Sequence, residues 1–236
     1  MDIRIIGGDQ SAGVVAGAET AVDPSRGSLR VSLSPIDVRD IQGNPLGHYR
    51  TVCISGALVS IGAGGLLFSC RWAGPLPPLA IITRISAAVE ILTAVTAATP
   101  INLEAIGYKG YTALDTGGGV IVPTKMRTVH SASVFADFRM ATTTALGAGT
   151  RTLDSVGFGY AAFQTKVSPD IGATAATGLA VGVASPMIDL YKWEPGGHPF
   201  VVGVAEGFAV RESVAGPVSG TYRVTLIIEH IEVSAF

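Results

Sequence analysis

Asp115-Thr116-Gly117-Gly118 is the segment best able to do chemistry. An Asp-Thr-Gly turn after a strand can hold a carboxylate at its tip. Two such carboxylates face to face share one proton and activate water. The chain carries one copy, so a symmetric dimer would have to supply the second. Glycines at 117–119 also describe an ordinary turn whose aspartate caps local amides, and no later apolar-glycine strand pair completes the catalytic pattern. The segment is expected to be a turn.

The four histidines, His48, His130, His198 and His230, show no metal-ligand partner at helical or hairpin spacing. His48 and His198 are expected in Gly/Pro loops, and His230 near the end of a strand beside Glu229. They read as structural, and no metal site is assigned. There is no Gly-x-Ser-x-Gly elbow. The glycines at 62–65 are followed by no Lys-Ser/Thr and stand in no βαβ unit, so they do not form a phosphate or dinucleotide loop. Trp72 and Trp193 have the chemistry to stack on a sugar, but packing is the expectation for both. Cys53 and Cys70 are too few for a disulfide scaffold. A cross-strand disulfide is geometrically open to them; buried thiols in a reducing cytosol are expected. No catalytic residue or cofactor is assigned.

The elements that must position these residues are strands. Leu79–Val95 alternates, with Arg84, Ser86, Ala88 and Glu90 on one face and Ile85, Ala87, Val89 and Ile91 on the other. Ile101–Tyr111 is expected to return as a strand. Ser133–Ala141, Glu206–Val214 and Thr221–Val233 also read as strands. Leu29–Leu33, Val120–Val122, Met126–Val129, Ser155–Tyr160, Gly178–Val183 and Ile188–Trp193 are shorter candidates. Asp40–His48 and Trp193–Pro199 read as loops, and Thr142–Thr150 as a loop or short helix. Thr51–Val59 and Leu66–Trp72 are expected to form a hairpin around the glycine cluster. The many short strands between Gly/Pro turns predict an all-β fold, a β-sandwich or jelly-roll-like domain. It is expected over residues 29–236, with an extended N-terminal arm at 1–28.

Composition adds a second constraint. Only 14% of the 236 residues are charged, against about 25% in ordinary domains, and mean hydropathy is +0.46. Polar side chains to clothe a monomer are scarce. A surface of small neutral residues together with a permanent subunit interface accounts for this. Net charge is −2 and the 16 basic residues are scattered, so no nucleic-acid footprint is expected. Thr51–Cys70 is uncharged and long enough to cross a bilayer, but its glycines argue against a helix, and no membrane partner is expected. The first residues lack the pattern of a signal peptide.

Glu206-Gly207-Phe208-Ala209-Val210-Arg211, then Gly220-Thr221-Tyr222-Arg223-Val224-Thr225 and Glu229–Val233, resemble virion structural proteins of tailed bacteriophages. So does Thr142–Leu153 with its Ala-Gly-Thr-Arg-Thr-Leu segment. The resemblance implies a structural subunit of the virion, assembled in the host cytoplasm, and transfers no catalytic residue. A capsid decoration (cement) or minor capsid subunit is the leading expectation. Its partners would be further copies of itself, with a trimer favoured, and the major capsid protein or other virion subunits. The contacts are expected on the arm, at Ile3, Ile5, Ile6, Val14 and Val15, and on one face of the last strand, at Val224, Leu226 and Ile228. The rival readings are a tail, fibre or head–tail connection component, a carbohydrate-binding host-recognition module, and a retropepsin-like dimer built on Asp115.

Overall fold

The computed structural model describes residues 18–23, 28–33, 45–72, 79–95, 99–165, 184–194 and 196–233. Every regular element among them is a strand. In chain order these are β1 (Ala18–Asp23), β2 (Ser28–Leu33), β3 (Pro45–Ile54), β4 (Leu66–Trp72), β5 (Leu79–Thr93), β6 (Ile101–Lys109) and β7 (Gly119–Ile121). They continue with β8 (Phe135–Met140), β9 (Thr152–Leu153), β10 (Gly159–Phe163), β11 (Ile188–Lys192), β12 (Phe200–Val202), β13 (Gly207–Glu212) and β14 (Thr221–Val233).

Eight strands make two antiparallel sheets that pack face to face. One reads β11-β5-β14-β3, and the other contains β10-β6-β13-β4. Among these eight, the first pairs with the last (β3–β14) and the second with the seventh (β4–β13). The third pairs with the sixth (β5–β11) and the fourth with the fifth (β6–β10). That is one long hairpin rolled into a sandwich, the jelly-roll connection. The all-β sandwich expected from the strand pattern is therefore the fold. β8 and β7 extend the larger sheet beyond β4, β9 pairs with β6, β12 pairs with β5, and β1 pairs with β2. The β1–β2 ladder crosses position 28, the expected end of the arm.

Alternation fills the core. β5 contributes Ile85, Ala87, Val89 and Ile91, β14 contributes Tyr222, Val224, Leu226 and Ile228, and the facing sheet contributes Phe68, Phe138, Phe208 and Val210. Phe68 packs edge-on against Phe138, with ring centroids 5.3 Å apart, and tilts against Phe208 at 5.6 Å. Val224, Leu226 and Ile228 are fully buried here. This corrects their placement as contact residues: the outward face of β14 is Arg223, Thr225, Ile227 and Glu229. Ile3, Ile5, Ile6, Val14 and Val15 lie outside the described residues, as does Gly178–Val183.

Other expectations change as well. The arms of the supposed hairpin lie in different sheets, β3 beside β14 and β4 between β13 and β8, so the glycine cluster is a crossover from one sheet to the other. Pro45–His48 belongs to β3, not to a loop. Residues 126–129 form bends and a turn rather than a strand. The strand expected at Ser155–Tyr160 begins later, at Gly159. Thr51–Cys70 is the end of one strand, a loop and most of another; no helix among the described residues is long and apolar enough to cross a membrane.

One segment closes a side of the sandwich. After β7 the chain crosses to the edge of β3, where Arg50 N–H donates to Thr124 O and Met126 N–H to His48 O, both at 2.9 Å. Tyr49 Oη donates to Ser131 O at 2.9 Å. We call residues 122–134 the strap. It caps part of an edge that would otherwise be open to pairing.

Candidate functional site

Asp115 sits on the outer face of the larger sheet, closed off from solvent. Its Oδ1 accepts from Gly149 N–H at 2.6 Å and from the Arg151 guanidinium. Its own N–H donates to Tyr111 Oη at 2.7 Å. The two side chains of the ion pair are 0% and 3% exposed. The guanidinium lies over the ring of Tyr108, 4.7 Å from its centroid, and 5.5 Å from that of Tyr111. Tyr108 in turn crosses Gly207, where a Cβ would meet its ring at 2.7 Å, and donates its hydroxyl to Cys70 O. The loops joined by this cluster also bond through their backbones, Thr116 with Gly147 in both directions. Gly117 and Gly118 turn at φ of 76° and 64°, a region L side chains rarely enter. The Asp-Thr-Gly turn is thus a turn, as expected, and its carboxylate is spent on an arginine. Such a pair anchors loops, and its carboxylate is closed off from solvent.

A second polar group is buried between the sheets. His230 stacks on Tyr49 at 4.9 Å and 13°, edge-on to Phe135. Glu232 Oε1 accepts from Ser133 Oγ at 2.5 Å and Val134 N–H at 2.9 Å, and lies 3.5 Å from His230 Nε2. Ser133 Oγ is 3.4 Å from the same nitrogen. The trio has the residue types of a nucleophile, base and acid, but not their order. Serine and carboxylate meet the same ring nitrogen, whereas a relay needs one on each. Burial lowers the pKa of His230, against the opposing pull of Glu232. Burial also raises that of Tyr49 to about 12, with Glu232 adding to it. This cluster ties the strap's end to β14.

The third is Glu212, fully buried, whose Oε1 accepts from Tyr222 Oη across the two sheets. Burial raises its pKa to about 7, opposed by that hydrogen bond. Sequence reasoning missed Glu212 and Glu232, because each stands in an alternating strand beside residues that resemble solvent-facing ones.

The remaining candidates resolve simply. Cys53 and Cys70 are buried free thiols, and burial raises the pKa of Cys53 to about 12. His48 lies in β3 near His130 and Arg127, and burial lowers its pKa. No cluster of three or more metal-ligating side chains occurs among the described residues. Trp72 is 1% exposed and packs edge-on to Phe135, so its ring has no face for a sugar. Trp193 is half-buried and donates its indole N–H to Gly197 O at 2.9 Å. Pockets of about 190 Å³ beside Leu146 and Arg151 and about 120 Å³ beside Asp154 and Phe200 fall below the ~300 Å³ at which small-molecule sites begin.

The surface holds the other candidate. The β7 edge and strap expose Val120, Val122, Met126 and Val129, the last at 86%. Beyond the strap, Val52 and Ile54 of β3 are each more than half exposed. By register their amides point away from β14, and nothing among the described residues pairs with them. Apolar surface of this kind, concentrated at sheet edges, suits contact with another chain. A scan against protein-family models and a search of curated proteins gave no match for this chain.

Proposed function

We propose that the chain is a structural virion subunit of a tailed phage, most simply a capsid decoration or minor capsid protein that works through contacts with copies of itself and with the shell. The observation that carries this reading is a jelly roll, poor in charge, with much of its apolar exposure at its sheet edges. The fold alone hosts many unrelated functions; the edges are what support an assembly role. In this reading the sandwich is a rigid block, the buried ion pair and the His230 cluster hold its loops to shape, and the edges make the contacts. Each contact raises the barrier to rupture of the shell.

The test is antibody labelling of purified particles, with mass spectrometry for copy number. Regular labelling over the head supports the decoration reading. Labelling at one vertex or along the tail moves the subunit to the connector, tail or fibre. A chain absent from purified particles overturns the proposal.

A further inference from the structure

The larger sheet ends differently on its two sides. On the β7 side, the edge and strap expose Val120, Val122, Met126 and Val129, and among them stand Lys125 and Arg127. Neither cation has an ion-pair partner among the described residues. On the other side, beyond β6, the edge is formed by β9, β10 and the turn before β13. It exposes Val156, Tyr160 and Val204, between 44% and 75%. Its described charges are two acids and one base: Asp154, without an ion-pair partner among the described residues, Glu206, which caps Gly203 N–H at 2.8 Å, and Lys109, which lines one shallow pocket with both, so the edge is acidic by a single charge. With strands about 4.8 Å apart, these two edges are roughly 24 Å from each other. They cannot meet within one subunit.

From this complementarity we infer that the basic-apolar β7 edge of one copy docks on the acidic-apolar β9–β10 edge of the next, a head-to-tail contact between identical chains. The inference rests on the proposed assembly role and names the partner of its edges. A two-fold contact would oppose like surfaces and place Lys125 and Arg127 against their own counterparts. The head-to-tail contact places them against Asp154 and Glu206 instead, with apolar side chains on both sides to exclude water. Head-to-tail contacts repeat, so they build a ring wherever the rotation closes.

The experiment uses two full-length variants and light scattering after size exclusion. One carries Lys125→Glu with Arg127→Glu, the other Asp154→Lys. All these positions are exposed, and circular dichroism with thermal melting confirms that each variant folds. The expected result is an oligomeric wild type, at least a tenfold loss of association in each variant alone, and recovery when the two are mixed in equal amounts. Recovery cannot come from a folding defect. The inference is overturned if the wild type is monomeric, if only the first variant dissociates (a two-fold contact at the strap), or if mixing restores nothing. Labelled particles with a monomeric free chain would sink this contact and leave the virion reading standing. An edge-dependent oligomer absent from particles would do the reverse.

Discussion

Arg151 and Asp115 stand 36 positions apart and are buried together. Their attraction offsets the cost of leaving water only while both are present. Arg151→Met therefore strands a buried carboxylate, and should cost about 3–5 kcal/mol in denaturant unfolding. Asp115→Leu combined with Arg151→Met should cost clearly less than the two single changes added together. Glu212 behaves in another way. Its folded pKa, about 7, lies above the ordinary carboxyl value, so the folded state holds its proton longer than the unfolded chain. Stability from this group is full below about pH 4.5 and is lost as pH rises through about 7. Glu212→Gln keeps an acceptor for Tyr222 without the titration. Its melting temperature should exceed the wild type's by roughly 5–10 °C at pH 8 and match it at pH 4. His230 has the opposite sign. Its folded pKa is lowered, so stability is full above about pH 6.5 and falls as the unfolded imidazole takes up a proton. His230→Phe should flatten the acid side of the stability profile.

Among the elements, β5 and β14 are legible in the sequence because their alternation extends over many residues, and β6 and β13 because turn residues bracket short apolar runs. Their partners are not. Periodicity tells which face of a strand is inside, not which strand lies beside it, and in a rolled hairpin most pairing is between distant segments. That is why β3 and β4 look like neighbours in the sequence and are not neighbours in the fold. A bulge at Thr83, opposite Glu229 and His230, shifts the phase of β5, so that Ile82 and Ile85 both reach the core while Ile81 packs with Ile231 and Val233 on the far side. A strict two-residue period hides such a shift. The strap imitates a strand because Val122 and Val129 are strand residues; they face outward instead. Its hydrogen bonds make a direct prediction. In hydrogen exchange the Arg50 and Met126 amides should be protected, while Val52 and Ile54 on the uncovered part of β3 exchange faster. Tyr49→Phe removes the bond to Ser131 O and should cost about 1 kcal/mol.

For the molecule as a whole, low charge in the sequence calls for an interface, and the structure shows apolar surface exposed at the sheet edges rather than on the inner face of β14. The contacts expected at Val224, Leu226 and Ile228 fail for a simple reason: the most apolar face of a strand is the one its own fold buries first. Asp115 is legible as part of a turn, but the arginine that neutralises it comes from a loop no local pattern connects to it. In the proposed assembly role the molecule acts as a rigid block with sticky edges. The most direct measurement is light scattering of the purified wild-type chain over a wide range of concentration. A discrete species at three or more times the 24.1 kDa chain mass is expected, growing in share with concentration. A species of 24.1 kDa at every concentration would contradict an assembly built on these edges.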